Sequence, residues 1–250
     1  MRLIQSHGQK TWRLAKSSYG PLNPPQRGSD PTDDPQSWSR FDTRGGRTAY
    51  VAESRKCALS EALAYFRRDI GTIDPLLKDA EFLGLTDKQL IDLVNDEWME
   101  RNHMMAGYLA AGWRFERLIY ALTLPPTGYW IDVEHGDTLA TVQRELEPQL
   151  ASLGESTIDR SILLGRRRET TVAIASWMRH LVLDDGSYAH GITWESKHGY
   201  GRCWAYWMRR VDDSSEVSDE PMMQLDEGKI LAENDASLKA VAEQMGITIC

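Results

Sequence analysis

The sequence predicts a single α+β domain over residues 1–250, with a mixed, bent sheet and packed helices. Candidate strands and helices follow one another irregularly, without the strand–helix alternation that produces a doubly wound sheet. The sequence has no GxGxxG after a predicted strand and no Walker A motif, so it does not favour a Rossmann or P-loop nucleotide site. A chain of 250 residues also buries enough apolar surface to fold without disulfides.

Charge and composition narrow the classes of function. A net charge of −8 argues against a general nucleic-acid-binding protein, although it is compatible with a small basic pocket. The three cysteines, Cys57, Cys203 and Cys250, have no metal-ligand spacing and suit a reducing compartment. The N-terminus lacks the apolar core of a signal peptide, and no apolar run is long enough to span a bilayer. We therefore expect a cytoplasmic protein without a membrane segment. The six histidines form no HExxH pair and give no reason to expect a metal.

The sequence pattern of the N-terminal part predicts a strand, a loop, a second strand and a helix. Residues 12–14 open a short strand, and residues 20–37 are rich in Pro, Gly, Asp and Ser, as irregular loops are. A glycine pair precedes a strand over 47–53. Ser54 is placed to cap a helix that runs to about Arg68.

The rest of the chain predicts a helical middle and a strand-rich end. Residues 74–180 form an enlarged, mostly helical segment, in which 118–124 are ambiguous between a helix end and a strand. Elsewhere the patterns predict strands at 129–133, 191–196, 203–208, 230–232 and 247–249, helices at 137–152, 169–182 and 235–245, and an exposed acidic loop at 212–220.

Four polar residues stand at the edges of these elements. Arg40 lies in the turn Ser39-Arg40-Phe41-Asp42, Tyr50 near the end of a strand, Glu61 beside the apolar stripe of a helix, and Ser196 at the end of a later strand. Each has an ordinary alternative: a surface arginine, a half-buried strand tyrosine, a glutamate that solvates its helix, or a serine in a turn. Arg13 is a weaker candidate, because Trp12-Arg13 is also typical of an aromatic packed beside a salt bridge.

Two other features remain open at this point. The run Gly165-Arg166-Arg167-Arg168 is interpreted as a solvated charged loop, with phosphate binding as the alternative. His190 and His198 flank the strand at 191–196, where they either border a pocket or have a structural role.

The order of the arginine, the tyrosine, the glutamate and the serine resembles the RES domain family, which includes bacterial toxins that destroy NAD+. The resemblance implies that Arg40, Tyr50, Glu61 and Ser196 line an NAD+ pocket, with Arg13 as a weaker match. It also implies a fold similar to that of ADP-ribosyltransferases. A toxin of this kind arrests the cell that makes it, so a cognate antitoxin protein is implied as a partner.

The chemistry of NAD+ suits these residue types. Nicotinamide leaves as a neutral molecule, so one carboxylate, Glu61, suffices to stabilise positive charge on the ribose. Arg40 and Arg13 offer planar cations for the diphosphate, Tyr50 offers a face for the pyridinium ring, and Ser196 offers a hydrogen bond.

The sequence leaves the outcome of the reaction open. Hydrolysis and phosphorolysis remain alternatives, so phosphate is a candidate co-substrate and NAD+ is a substrate rather than a resident cofactor. ADP-ribosyl transfer to a macromolecule, or a nucleotide-binding module without turnover, are the competing functions. Homo-oligomerisation and the role of the helical middle are also undecided.

Overall fold

The structure of the protein, a computed structural model, describes residues 1–28, 30, 32–68, 73–100, 107–213 and 221–250. The strands are β1 (Leu3–Gln5), β2 (Lys10–Lys16), β3 (Thr48–Ala52), β4 (Tyr108–Leu109), β5 (Arg117–Thr123), β6 (Tyr129–Asp132), β7 (Gly191–Glu195), β8 (Arg202–Trp207), β9 (Met223–Gln224), β10 (Lys229–Ile230) and β11 (Thr248–Ile249). The helices are α1 (Arg55–Leu63), α2 (Ile73–Leu83), α3 (Asp87–Glu100), α4 (Ala111–Phe115), α5 (Gly136–Ser152), α6 (Arg160–Leu163), α7 (Arg168–Arg179), α8 (Arg209–Asp213) and α9 (Ala236–Met245).

A mixed sheet with packed helices forms the body, as the sequence predicts. Within the described residues nine strands pair in the order β1-β6-β7-β8-β3-β2-β5-β10, and β9 also pairs with β5. The β6–β7 pair is parallel and the others in this sheet are antiparallel. A separate two-stranded parallel sheet joins β4 to β11.

The ambiguous segment around 118–124 is a strand. Its β5 pairs along its whole length with β2, from Lys10 opposite Thr123 to Lys16 opposite Arg117. Its buried residues include Ile119 and Leu122, which face opposite sides of the sheet. The mostly helical middle is therefore divided: helices at 73–100 and 136–179 flank two strands, β5 and β6, that belong to the main sheet.

Alternation along the strands separates two apolar cores. On β8, Cys203, Ala205 and Trp207 face the larger core, into which α1, α5, α7 and α9 pack. Trp204 and Tyr206 face a smaller core on the other side. Because successive strand residues point to opposite faces, Tyr50 lies on the same side of the sheet as α1.

Local signals place α1 against the end of β3. The hydroxyl of Ser54 accepts a hydrogen bond from the amide of Cys57 at 3.1 Å, so the predicted N-cap is confirmed. The helix ends at Leu63, earlier than predicted, and a 3₁₀ turn over Ala64–Phe66 follows. The carbonyl of Phe66 then accepts a hydrogen bond from Gly107, which closes the chain segment between them.

The structure bears on two further predictions, the acidic loop at 212–220 and the absence of a membrane segment. Helix α8 covers the start of the predicted acidic loop, and residues 214–220 lie outside the described residues. Among the described helices, none has the length and apolar character needed to cross a membrane.

Candidate active site

A large cavity opens beside α1 and the ends of β3 and β7. Its volume is about 1860 Å³, and four of the five predicted site residues line it, namely Arg13, Arg40, Tyr50 and Glu61. The fifth, Ser196, lies at its edge between the lining residues and β7. The fold therefore brings together residues that are as much as 183 positions apart in the chain.

Glu61 and Ser196 are in direct contact. The hydroxyl of Ser196 donates to Oε1 of Glu61 at 2.7 Å. The same hydroxyl oxygen accepts a hydrogen bond from the amide of His198 at 3.2 Å. The serine hydroxyl is thus oriented by its own turn, and it holds one oxygen of the glutamate in a fixed position on α1.

The turn between β7 and β8 is anchored to the end of β3. Glu53 accepts a hydrogen bond from the amide of Arg202 at 2.9 Å. Gly201 has a φ of +108°, and a Cβ atom there would lie 2.2 Å from Glu53 Oε2. Glycine is required for this close approach in this backbone conformation. The contact with Glu53 holds the turn, and with it Ser196, over α1.

Arg40 points its charge into the cavity. Its Nε is buried without a hydrogen-bond partner, and within the described part of the chain its guanidinium forms no ion pair. Burial lowers the pKa of Arg40, while the nearby carboxylate of Glu61 acts in the opposite direction and Arg168 adds to the lowering. A half-buried cation with an unfilled donor is a natural ligand for an anion.

Arg13 and Tyr50 lie in a different environment. The hydroxyl of Tyr50 donates to Asp42 Oδ1 at 2.9 Å and accepts from the amide of Phe41 at 2.9 Å. Burial, followed by the charge of Asp42, raises the pKa of Tyr50 well above 10. Its hydroxyl is therefore saturated, although part of its ring still faces the cavity.

The guanidinium of Arg13 holds the backbone of Tyr50 in place. Its Nη1 donates to the backbone carbonyl of Tyr50 at 3.1 Å, and the residue is only 8% exposed. Burial lowers the pKa of Arg13 to about 10, so it stays charged at neutral pH beside Asp42. Arg27 adds an ion pair to the same carboxylate at 2.8 Å. We call Arg13, Arg27, Asp42 and Tyr50 the Asp42 cluster.

The cavity is strongly basic in an acidic protein. Eight arginines and lysines line it, against the two carboxylates of Asp42 and Glu61, while the whole chain has a net charge of −8. Such a local excess of cations attracts and holds anions. The small basic pocket that the sequence allowed is therefore present and larger than expected.

A model of the RES domain family matches residues 10–139, which is more than half of the chain. This chain belongs to the RES domain family. Arg13, Arg40, Tyr50 and Glu61 lie within the matched residues, and Ser196 lies beyond them. No curated protein matches the chain. Among solved structures, the M. tuberculosis MbcT–MbcA toxin–antitoxin complex contains a chain with 8% identity and a TM-score of 0.39. The alignment covers 96% of the present chain and 90% of that one, and similarity at this level supports no conclusion about function.

The basic run at 165–168 borders the cavity of this RES domain, while Arg166 and Arg167 are also exposed to solvent, as the sequence predicts. Arg166 and Arg168 both line the cavity, and only Arg167 points away, to Glu155 at 3.0 Å. Arg168 is fixed at the start of α7, where its Nε donates to the carbonyl of Trp38 at 3.0 Å. The run itself was visible in the sequence, but the packing of α7 decides which of its arginines face inward.

Lys197 is a cation of the cavity that the sequence did not single out. It follows Ser196 directly, lines the cavity, and donates to the carbonyl of Leu164 at 3.3 Å. Burial lowers the pKa of Lys197, and repulsion by Arg40 and Arg168 lowers it further. We call Arg40, Glu61, Arg168, Ser196 and Lys197 the Glu61 wall of the RES domain.

The two histidines have separate positions. His198 lines the cavity, and burial lowers its pKa below 6.5 while Glu61 acts in the opposite direction. His190 is in contact with Trp130 on the far side of β7, and its Nε2 lies 2.6 Å from the carbonyl of Thr127. His190 is therefore structural, and His198 borders the site.

Two buried thiols form part of the support below the cavity. Sγ of Cys57 and Sγ of Cys203 are 3.5 Å apart, between α1 and β8. The contact with Cys57, and then burial, raise the pKa of Cys203, so this thiol stays protonated and unreactive. Among the described residues, no three His, Cys, Asp or Glu side chains group as metal ligands would.

Proposed function

We propose that this RES domain cleaves the bond between nicotinamide and ribose in NAD+. The observation that supports this most is the Glu61 wall, where a carboxylate held by Ser196 at 2.7 Å shares a cavity with the unpaired cation of Arg40. A fixed negative charge beside fixed positive charges is what a dinucleotide with a cationic glycosidic centre and an anionic diphosphate requires.

Arg40, Arg168 and Lys197 are the proposed ligands of the diphosphate. Arg168 and Lys197 are already positioned by backbone carbonyls at 3.0 and 3.3 Å, so little side-chain entropy is lost when an anion binds. The Nε of Arg40 has no hydrogen-bond partner among the described residues and is available to the substrate. Arg13 is proposed to act indirectly, by holding Tyr50, since its Nη1 is bonded to the carbonyl of that residue.

Glu61 is proposed to stabilise the positive charge that develops on the ribose as the C–N bond breaks. The electron pair of that bond moves to the ring nitrogen, which neutralises the pyridinium, so nicotinamide departs without a proton. An oxygen of water or of phosphate then bonds to the anomeric carbon. Water gives ADP-ribose and releases a proton, whereas phosphate gives ADP-ribose 1″-phosphate. The half-exposed ring of Tyr50 is proposed to contact the pyridinium.

The biological role belongs to the same proposal. Family resemblance supports a cytoplasmic toxin whose activity a cognate antitoxin protein neutralises, and a fold related to ADP-ribosyltransferases. NAD+ is the substrate, and phosphate is the proposed alternative acceptor to water.

The decisive experiment follows free nicotinamide when the purified protein is incubated with NAD+, with and without phosphate. We expect release by the wild type and a loss of at least about 100-fold in kcat for Glu61→Gln. Glutamine keeps an acceptor for Ser196, so the fold is retained. Glu195→Gln is the matched control, because Glu195 is an exposed neighbour that pairs with Arg202.

Each other outcome has a distinct meaning. Dependence on phosphate identifies phosphorolysis, and release without it identifies hydrolysis. Nicotinamide release with a modified macromolecule instead of free ADP-ribose identifies ADP-ribosyl transfer. Tight binding of NAD+ without any release contradicts the proposed cleavage and favours a binding module.

A further inference from the structure

The helical hairpin of α2 and α3 holds most of the net negative charge of the chain. Residues 73–100, which we call the acidic arm, contain eight carboxylates and two lysines. Its net charge of −6 compares with −8 for all 250 residues. The charge of this protein is thus segregated: the arm is acidic and the cavity is basic.

The acidic arm also exposes apolar side chains. Phe82 is 90% exposed, and Leu83 and Leu93 are each more than half exposed. Asp79 and Glu81 lie beside Phe82 on α2 and are also exposed. Large apolar groups surrounded by charge are typical of surfaces that bind another macromolecule.

The arm leaves the body at the mouth of the cavity. Phe66, whose carbonyl binds the amide of Gly107 at 2.7 Å, lines the cavity, and the arm lies between these two residues in the chain. The mouth itself carries exposed cations at Arg67, Arg166 and Lys197. Within the described residues, neither Arg67 nor Arg166 is in an ion pair.

We propose that the acidic arm of one copy of this chain docks on the basic mouth of the cavity of a second copy. Every copy presents both surfaces, so the charges are complementary between any two molecules. The exposed carboxylates at 79 and 81 are not paired with Arg67 or Arg166 of their own chain in the described structure, so both groups are available to another molecule. Burial of Phe82 at the contact supplies the apolar contribution that charge alone lacks.

The test measures self-association by analytical ultracentrifugation, without substrate, so its result is independent of the proposed reaction. We expect the wild type to associate at low salt and to dissociate at high salt, because added salt screens exposed charges. Reversal of the arm by Asp79→Lys with Glu81→Lys should weaken association about tenfold or more. Reversal of the mouth by Arg67→Glu with Arg166→Glu should do the same.

A mixture of the two reversed proteins provides the sharpest test. At the substituted positions each variant alone presents like charges on its arm and its mouth, whereas the two together present opposite charges there, so a mixed dimer should form more strongly than either variant associates alone. The control for the arm reversal is Glu145→Lys with Glu147→Lys on α5, which changes the net charge by the same amount at exposed positions outside the arm and should leave association unchanged.

Three outcomes would overturn the proposal. A wild type that is monomeric at low salt has no such contact. Association that both reversals leave unchanged uses another surface. Reversed proteins that fold, as judged by circular dichroism, but do not combine with each other show that the arm and the mouth are not partners.

Discussion

The Asp42 cluster and the Glu61 wall use the same residue types in opposite ways. In the Asp42 cluster, the carboxylate accepts from Tyr50, Arg27 and the amide of Ser39 at 2.8 to 3.0 Å, and it is 3% exposed. In the Glu61 wall, Nε of Arg40 has no partner among the described residues, and several cations face one carboxylate. The acceptors of Asp42 are filled, which contributes to folding, and Arg13 beside it has a bonded Nη1, although its Nε has no partner among the described residues. Arg40, whose Nε likewise has no partner there and which forms no ion pair, is held ready for a ligand.

The largest effect on stability is expected from Asp42→Ala. This change leaves the buried hydroxyl of Tyr50 without its acceptor and removes the negative charge that acts on Arg13. It also removes the closer of the two carboxylates that pair with Arg27, which keeps Asp33 at 3.6 Å. We expect the free energy of unfolding to fall by about 3–5 kcal/mol, measured by urea denaturation. Asp185→Ala, at an exposed turn aspartate, is the control and should change stability little. A loss no larger than that of the control contradicts the structural role of the cluster.

Arg40→Ala tests whether the Glu61 wall binds the substrate. Loss of a charge-assisted contact to the diphosphate should raise the KM for NAD+ by about 10- to 100-fold. The free energy of unfolding should be unchanged or higher, since a half-buried cation that forms no ion pair with the described residues is removed. Arg167→Ala removes an arginine that faces away from the cavity and should leave KM unchanged. An unchanged KM for Arg40→Ala excludes a diphosphate contact.

A smaller effect is expected from Ser196→Ala, which frees Glu61 from its donor. Because one hydrogen bond is lost, kcat for nicotinamide release should fall by up to about tenfold with little change in KM. Ser196→Thr keeps a hydroxyl and should restore most of the activity. Equal loss in both variants indicates that the turn, rather than the hydrogen bond, was disturbed.

The smallest effect concerns pH and His198. Its pKa in the folded protein lies below 6.5, so the unfolded chain binds the proton more tightly. Its contribution to stability is therefore present above about pH 6.5 and is lost as the pH falls toward the folded pKa. NMR titration should detect this pKa directly, and pyrophosphate in the cavity should raise it. His190, whose pKa is also lowered but which lies outside the cavity, should not respond to pyrophosphate.

Local signals in the sequence were sufficient for much of the fold. The strand before α1, the Ser54 cap and the strands around 191–208 depend on short-range patterns, and they form as predicted. The segment around 118–124 could not be assigned locally, because its pairing with β2 across more than 100 residues makes it a strand. In such segments tertiary contacts, which a local sequence pattern does not show, decide between helix and strand.

The candidate site was predictable only in part for the same reason. Arg13 and Arg40 were both predicted as diphosphate ligands, with Arg13 the weaker candidate, and both line the cavity, but Nη1 of Arg13 is bonded to the carbonyl of Tyr50. Arg168 belongs to a basic run that is visible in the sequence, whereas Lys197 carries no distinguishing pattern. The role of both depends on how α7 and the β7–β8 turn pack around the same space. Sequence order identified the residue types, and only the packing determined which of them share an environment.

The hydrogen bond between Phe66 and Gly107 has a consequence for how this protein can vary. Because Phe66 and Gly107 are hydrogen-bonded to each other, the two ends of the inserted segment are adjacent on the body. The structure of the body therefore does not depend on the length of that segment. A longer, shorter or differently charged segment can be inserted at this point at a small cost in loop-closure entropy. The cavity and the arm can therefore change independently of each other. Substitutions in the cavity alter the reaction, and substitutions in the arm alter the binding of its partner.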